Sequence, residues 1–483
     1  MIEIPHVIGL VPTILLPLTL VSVLITTLAT YVAGLFGVEL KAEGPKRLLE
    51  LLLKPRLLIT AVVLNILVVA AVKYVRYAKH YPERLSHIED VQRGLATPSD
   101  AHYPNSTLAH LQTVQPARHI DALDINIHVA WDMTLPNGSF REPTLSGKHL
   151  FLGNDDGHIY ELSTDDGNTI RRFFVGKELT PNPFIWNNRI YTGEGIHYTH
   201  HARVYAFDLV TGAFIGAFPT KGHTEGQPVV ASYKGQNLLF GVAGKDGVFA
   251  IDPISMTQVW HQVHGHVDGS VRVADGRVFV GSAVEKGDEK SAQPTVSAYR
   301  FADGEVLWQN SIPASSWTAP VVTTKAVYFA LGEIYDESPF GQLVGYEPAS
   351  GKTLLEISVG ASMSSPPIKV GNRIYVSDRK EQINCFDLET KTCIWTRPTV
   401  IRDNQTSVAG VSYDPFRNVL LYPSFTNGLY ILDPEQGETI SHWMPDASMP
   451  PWRDTYAAVT VTKDAWYITD VKGTVRRLNP TLN

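Results

Sequence analysis

The sequence has few cysteines, no excess of basic residues and, near its start, a long stretch without any charge. Two cysteines in 483 residues cannot build a disulfide framework, and there is no C-x-x-C-H motif for covalent haem attachment. Lys and Arg number 41 against 48 Asp and Glu, and the resulting net charge of −7 argues against nucleic-acid binding, which normally needs a basic excess. With 44% apolar residues, the chain is able to fold around packed cores.

The uncharged stretch lies between Glu3 and Glu39, where the sequence has no Asp, Glu, Lys or Arg. This run exceeds the roughly 20 apolar residues that cross a bilayer. A second apolar run follows from Leu57 to Val72 between basic residues. We therefore predict two transmembrane α-helices, at about 7–38 and 55–76. The first run is too long, and its start too acidic, for a cleaved signal peptide.

The charges around these two runs predict the orientation of the chain. The first six residues carry no Lys or Arg, whereas the loop between the runs carries Lys41, Lys46, Arg47, Lys54 and Arg56. By the positive-inside tendency this loop lies in the cytoplasm. The pattern favours a two-pass protein of a bacterial inner membrane, with the remainder of the chain in the periplasm. Residues 1–78 would form the membrane anchor, and the polar, aperiodic residues 79–127 a stalk.

A repeat of about 45 residues fills the rest of the sequence. Each copy has a strand that ends in an acidic or polar anchor residue, then a short turn and another strand. The eight anchor residues are Ser163, Asp208, Asp252, Arg300, Glu347, Asp387, Asp433 and Asn479. Their spacing of 40 to 48 residues, with alternating apolar and polar runs between them, is typical of four-stranded propeller blades. We predict an all-β, eight-bladed β-propeller over residues 128–483.

Tryptophans at a fixed distance from the anchor residue support this repeat. Trp260, Trp308 and Trp395 each lie eight residues after an anchor. The sequence ends at Asn483, so the copy anchored at Asn479 has no room for the strand that would carry this tryptophan. The segment around Trp131 has the missing pattern. We predict that this N-terminal strand pairs with the C-terminal strands and closes the ring, which leaves no open sheet edge.

These repeats resemble the PQQ-like propeller repeat family, whose blades carry a motif close to V-Y-A-L-D-x-x-T-G-x-x-x-W; YAFDLVTG at Tyr205–Gly212 matches most of it. The resemblance implies one of two functions. Quinoprotein dehydrogenases of the family hold PQQ and calcium in the central channel, and BamB-type relatives have lost the cofactor and bind proteins. This sequence lacks the vicinal cysteine pair of many such dehydrogenases and their long insertions. It favours a non-catalytic scaffold without a cofactor, and a membrane-bound PQQ- and calcium-dependent dehydrogenase is the alternative.

The loops that lead into the innermost strands are expected to line the channel mouth. They are small and polar, and we predict no catalytic residues among them. Their charged and aromatic members are candidates for binding a ligand or ion: Glu225, Asp268, Trp317, Arg453 and Asp454. The expected partners are the lipid bilayer and other subunits of a membrane complex, contacted through the transmembrane helices and the propeller loops. Three longer segments, GEGIHYTHHAR, VEKGDEKSAQP and GEIYDESPFGQ, are suited to partner recognition.

Histidines and cysteines raise two further questions. His261, His264 and His266 form H-x-x-H-x-H, but strand alternation places His261 on the face opposite the other two. We therefore predict surface or loop histidines and no metal site. Cys385 and Cys393 flank one hairpin turn, and either a cross-strand disulfide or two thiols is compatible with that position.

Overall fold

The computed structural model of this protein describes residues 125–176, 178, 181–196, 199–285, 293–335, 339–399 and 408–482. Every regular element within these residues is a β-strand. No helix among them has the length and apolar character of a membrane span. The two predicted transmembrane helices, and the predicted stalk as far as residue 124, lie outside the described residues.

The described strands form eight antiparallel sheets of four strands each. The first strand is β1 (Ile125–Thr134). Blades 1 to 4 then contain β2 (Thr144–Ser146), β3 (His149–Asn154), β4 (His158–Ser163), β5 (Thr169–Phe174); β6 (Phe184–Trp186), β7 (Arg189–Thr192), β8 (Arg203–Asp208), β9 (Phe214–Pro219); β10 (Val229–Tyr233), β11 (Gln236–Val242), β12 (Val248–Ile251), β13 (Gln258–Gln262); and β14 (Arg272–Ala274), β15 (Arg277–Gly281), β16 (Thr295–Arg300), β17 (Val306–Ser311).

The second half of the ring continues with the same order of short and longer strands. Blades 5 to 7 contain β18 (Val321–Val322), β19 (Val327–Leu331), β20 (Gly341–Tyr346), β21 (Thr353–Val359); β22 (Ile368–Val370), β23 (Arg373–Ser377), β24 (Gln382–Asp387), β25 (Thr392–Pro398); and β26 (Ser412–Asp414), β27 (Val419–Pro423), β28 (Leu429–Leu432), β29 (Thr439–Trp443). Blade 8 contains β30 (Thr460–Val461), β31 (Trp466–Thr469) and β32 (Thr474–Leu482), completed by β1.

The predicted ring closure is confirmed. β1 runs antiparallel to β32, from Ile125 opposite Leu482 to Thr134 opposite Thr474, and it begins at Ile125 rather than at the predicted His128. A buried hydrophobic cluster that includes Tyr467 of the eighth blade and Leu150 of the first joins these two blades. The described residues contain such a cluster between each pair of neighbouring blades. The ring is therefore held together by side-chain packing between blades and by the strand pairing of blade 8.

The first strand of each blade is innermost. Neighbouring first strands contact one another around the axis, as in the pairs β6 and β10, β14 and β18, and β26 and β30. Because strands in a blade alternate in direction, the loop into the first strand and the loop between the second and third strands share one face of the ring. We call this the top face, and we call the loop into each first strand the inlet loop. The turns that carry the anchor residues lie on the opposite, bottom face.

The four predicted tryptophans each dock their own outer strand onto the following blade. The indole N–H of Trp260 donates to the Phe301 carbonyl at 2.9 Å, and that of Trp131 donates to the Thr164 carbonyl at 3.0 Å. A β-bulge one residue before the tryptophan sets its direction in both strands. Each ring also covers a turn glycine of the next blade, Gly304 in the case of Trp260. The tryptophan repeat thus connects neighbouring blades.

Blade 1 makes the same connection with an arginine. Arg171 lies eight residues after Ser163, and its guanidinium donates to the backbone carbonyls of Leu209 at 2.6 Å and Val210 at 3.1 Å in blade 2. Its charge is balanced by Glu161, whose Oε2 accepts from Nε at 2.8 Å and from Nη2 at 2.6 Å. Both residues are buried. A buried ion pair therefore replaces the tryptophan at this interface.

A pair of glycines tests the docking contact. Gly304 and Gly235 both have left-handed backbone, with φ of 74° and 82°. A Cβ at Gly304 would lie 2.7 Å from the Trp260 ring, whereas one at Gly235 would meet no atom within 4 Å. We expect Gly235→Ala to lower the free energy of unfolding by about 1–2 kcal/mol, the backbone cost alone. Gly304→Ala should add about 1–3 kcal/mol of overpacking. Urea denaturation of both variants measures the difference, and equal midpoints would contradict the docking role of Trp260.

The two cysteines are present as thiols, which is one of the two states the sequence allowed. Cys385 lies opposite Trp395 and Cys393 lies opposite Phe386, so the two sulfurs are not in facing positions. Burial raises the pKa of the Cys385 thiol to about 12 and also raises that of Cys393. Both thiols are consequently poor nucleophiles at neutral pH.

Candidate functional site

The inlet loops of blades 1 to 6 surround a cavity at the channel mouth. Three of the predicted residues, Glu225, Asp268 and Trp317, line it together. The other two do not, because Arg453 and Asp454 lie on the inlet loop of blade 8, where Arg453 is exposed and Asp454 is half-buried. The structure therefore brings together the candidates from blades 3, 4 and 5.

Small residues let these inlet loops pack closely around the axis. A side chain at Gly226 would collide with Val242 and approach the Asp268 carbonyl, and one at Gly269 would collide with the backbone of Thr318. Each glycine follows directly after the acidic residue of its loop. This close contact between neighbouring loops leaves Glu225 and Asp268 at the cavity.

A buried cluster of one carboxylate and two imidazoles forms where the inlet loops of blades 3 and 4 meet. Asp268 Oδ1 lies 2.9 Å from His223 Nε2, and Asp268 Oδ2 lies 2.9 Å from His266 Nε2. The two imidazole rings are 5.2 Å apart between centroids. The histidines are 3% and 4% exposed. We call His223, His266 and Asp268 the channel-mouth triad.

Of the predicted surface or loop positions for these histidines, the loop position is correct for His264 and His266, which lie between β13 and β14, and the surface position is wrong. His264 and His266 are both buried, and His261 is half-buried with its ring stacked on Phe249. His264 does not join His266, because its Nδ1 is hydrogen-bonded to the Tyr299 hydroxyl at 2.6 Å. The partner of His266 is instead His223, which the H-x-x-H-x-H pattern does not include.

The sequence contains a signal for this pairing that the local spacing did not reveal. The two inlet loops read GHTEG and GHVDG, with His, an acidic residue and Gly at the same offsets. Equivalent positions in neighbouring blades lie side by side in a propeller. Aligning the copies on their inlet loops would have placed His223 next to His266.

The carboxylates around the triad favour positive charge on His266. Burial acts to raise the pKa of Asp268, but its hydrogen bonds with His223 and His266 hold the pKa well below the ordinary value. Burial acts to lower the pKa of His266, but the hydrogen bond with Asp268 and the charges of Asp268, Glu285 and Glu225 raise it overall. Three carboxylates thus act on one small region of the top face.

A second cavity, of about 330 Å³, borders the two histidines, and its lining includes Lys245 and Glu285. Glu285 Oε2 is 3.9 Å from His266 Nδ1 and 2.7 Å from Lys245 Nζ. His223 and His266 line this cavity, whereas Asp268 lines the axial one. The triad therefore borders two cavities.

Whether the channel mouth can hold PQQ, the cofactor that the family resemblance implies, depends on the volume of the cavity there. The axial cavity at the mouth has a volume of about 70 Å³, whereas small-molecule sites usually measure roughly 300–1,000 Å³. Trp317 narrows it, with its indole N–H held by the Gly332 carbonyl at 3.0 Å and its ring against Tyr335. The side chains as placed do not fit a tricyclic quinone at this mouth.

Comparisons with known proteins agree with a propeller built from PQQ-like repeats. Residues 200–440 match the family model described as outer membrane protein assembly factor BamB. No curated protein matches the sequence. Among solved structures, BamB from Moraxella catarrhalis is 14% identical with a TM-score of 0.55, and the alignment covers 73% of this chain and 100% of that one.

Two quinoprotein enzymes have the same fold. A quinohemoprotein alcohol dehydrogenase from Pseudomonas putida is 11% identical with a TM-score of 0.54, over 76% of this chain and 78% of that one. A europium-containing methanol dehydrogenase is 11% identical with a TM-score of 0.52, over 73% and 93%. At these identities the likeness shows the fold alone. The described part of this chain is an eight-bladed β-propeller of PQQ-like repeats, similar to BamB and to quinoprotein dehydrogenases alike.

Proposed function

We propose that this protein is a non-catalytic binding platform anchored in a bacterial inner membrane. Two transmembrane helices at about 7–38 and 55–76 hold it there, and the propeller lies in the periplasm as an accessory subunit of a membrane complex. The top face of the propeller binds the protein partner. The observation that carries this proposal is the position of the three longest loops between second and third strands.

These three loops belong to blades 2, 4 and 5. They connect β7 with β8, β15 with β16 and β19 with β20, and they contain the three segments that the sequence suggested for partner recognition. The same connection in blade 1 is only a tight turn, residues 155–157, and in blade 3 it is residues 243–247. The strand ends that these three loops connect, and the described residues next to them, lie on the top face. Selective lengthening on one face of a rigid ring is the usual way in which such scaffolds acquire binding surfaces.

The bases of these loops are fixed to the ring. In blade 2 the Glu194 carbonyl accepts from the Thr224 backbone at 3.0 Å, and in blade 5 the Gly332 N–H donates to the Ser315 carbonyl at 2.9 Å. In blade 4 the Ala283 N–H donates to the His266 carbonyl at 2.8 Å. A preorganised surface loses little conformational entropy when a partner binds.

Cross-linking on spheroplasts tests both the location and the surface. A membrane-impermeant cross-linker applied to cells that produce the full-length chain should yield a defined heteromeric adduct. Replacing residues 332–340 with the tight turn 243–247 of blade 3 should abolish that adduct, because a top-face contact is lost. Ile254→Glu is the control, since Ile254 is 50% exposed on a bottom-face turn; it should leave the adduct unchanged.

Three outcomes would contradict the proposal. The adduct could survive the loop replacement, or it could be lost equally in Ile254→Glu, and either result would place the contact elsewhere. Dye-linked substrate oxidation by the purified chain supplied with PQQ and calcium would show an enzyme instead. Circular dichroism of both variants confirms that each retains the propeller.

A further inference from the structure

We propose that the channel-mouth triad binds one divalent transition-metal ion of the zinc class. The sequence predicted no metal site, because the ligands come from loops of two neighbouring blades. His223 lies 43 residues before His266, and only the blade arrangement brings them together. This inference concerns a ligand of the propeller itself and does not depend on the proposed partner.

The donor atoms are placed as a metal requires. One ligand atom from each of His223, His266 and Asp268 falls within a group whose members all lie within 4.8 Å of one another. Both Nε2 atoms already point at the same carboxylate, at 2.9 Å from separate oxygens. Metal–nitrogen and metal–oxygen bonds of about 2.0–2.1 Å in a tetrahedron put neighbouring ligands roughly 3.3 Å apart. An ion bound by both Nε2 atoms, with each neutral imidazole carrying its proton on Nδ1, would therefore need only small movements of these three side chains.

The backbone that carries these ligands is held by bonds between blades. The Gly244 and Val267 N–H groups each donate to the other's carbonyl at 3.0 Å. A Cβ at Gly244 would lie 2.8 Å from Cε1 of the His223 ring, so the glycine lets the backbone support the imidazole directly. A site built on such fixed loops is preorganised for its ligand.

The surroundings supply an outer shell and an access route. His266 Nδ1 has no hydrogen-bond partner among the described residues although it is buried, and Glu285 Oε2 lies 3.9 Å away. A carboxylate behind a metal-bound histidine orients the ring and increases its basicity. The cavity of about 330 Å³ lies next to both histidines, so an ion can enter and keep a water ligand. Glu225, with Oε1 3.9 Å from His223 Nε2, is close enough to take the fourth position after a rotamer change.

The chemistry of the donors selects the ion. Two imidazoles and one carboxylate suit zinc, cobalt, nickel or copper. Calcium prefers six to eight oxygen ligands, and two of the three donors here are nitrogens. The triad therefore differs in kind from a calcium site.

Metal binding is tested on the tag-free, full-length chain in detergent after treatment with EDTA. Titration calorimetry with zinc sulfate should show one ion per chain, and Co²⁺ should give visible absorption bands of a tetrahedral site. His223→Gln and Asp268→Asn should each weaken zinc binding at least about 100-fold, since loss of a direct ligand exceeds the outer-shell effect of about 10–100-fold. His261→Gln is the matched control from the same histidine-rich segment and should bind as wild type does.

A second measurement applies if the ligand variants do not fold. X-ray absorption at the zinc edge of the wild-type chain loaded with one equivalent of zinc should show two imidazole nitrogens and a carboxylate oxygen at about 2.0–2.1 Å from the ion. Absence of imidazole ligands at the bound ion, zinc binding unchanged in His223→Gln and Asp268→Asn, or calcium binding as tight as that of zinc would each overturn the proposal.

Discussion

A chain that begins at Leu135 is expected not to form a stable propeller, whereas one that begins at Ile125 is expected to form it. The missing segment is β1, the outer strand of blade 8, which pairs with β32 along nearly its full length. Burial of a large side chain such as Ile125, and the docking of Trp131 onto blade 1, are each worth about 2–5 kcal/mol. A whole domain is usually stable by only about 5–15 kcal/mol. Removing β1 therefore takes away an amount comparable with the total.

Size-exclusion chromatography and far-ultraviolet circular dichroism of the two truncated chains measure this difference. The shorter chain should aggregate or lose its cooperative transition, because β32 would present an unpaired edge. A synthetic peptide of residues 125–134 added during refolding should restore part of the monomeric propeller. A monomeric chain from Leu135 onward with an unchanged denaturation midpoint would show that the closure contributes little.

Arg171→Ala is expected to lower the free energy of unfolding by about 3–5 kcal/mol, the cost of breaking a buried ion pair on one side. Glu161, which is 0% exposed, would lose its guanidinium partner and keep the contact with His149, whose Nδ1 lies 2.9 Å from its other oxygen. The Leu209 and Val210 carbonyls of blade 2 would also lose the bonds that Arg171 donates. The shift in urea midpoint reports this loss.

Arg300→Ala is the control for this prediction. Arg300 contacts both Asp303 and Glu305, so it has more ionic partners than Arg171 has. All three side chains are about half exposed, and exposed ion pairs contribute only about 0–1 kcal/mol. A loss for Arg300→Ala as large as that for Arg171→Ala would mean that burial does not decide the energy of these pairs.

A double substitution separates charge from packing at the blade 1 interface. In two of the docked blades an alanine faces the tryptophan: Ala250 faces Trp260, and Ala298 faces Trp308. Glu161 faces Arg171 in the same register. Glu161→Ala combined with Arg171→Trp should therefore recover most of the stability that either change alone removes. If the stability losses of the two single variants simply add in this double-mutant cycle, the ion pair and the tryptophan are not equivalent ways of connecting neighbouring blades.

The blade architecture could be predicted because it repeats. The anchor residues recur at near-constant spacing, and Trp131 alone was enough to locate the closing strand. The contact at Arg171 was not predicted because an arginine stands where the repeat motif has its tryptophan. The ionic partner of Arg171, Glu161, lies opposite it on the neighbouring strand of the same sheet. The pair can therefore be recognised only once the strand register is known.

The channel mouth was predicted in part for a related reason. Glu225, Asp268 and Trp317 were found because their loops could be aligned with the innermost strands. His223 was overlooked, since its contact with Asp268 spans two blades. Arg453 and Asp454 occupy the corresponding loop of blade 8 and do not line the cavity. The presence of a charged residue in an inlet loop does not by itself determine which way its side chain points.

The pairing of β1 with β32 also sets an order of events during biosynthesis. β1 leaves the ribosome before any other strand of the propeller, and β32 leaves it last. Blades 1 to 7 must therefore be held as an open arc while the nascent chain is still growing, and long-range pairing of this kind is slow. The ring can consequently close only after β32 has been synthesised, and the incomplete arc, with its two unmatched sides, is the species that a chaperone would need to protect.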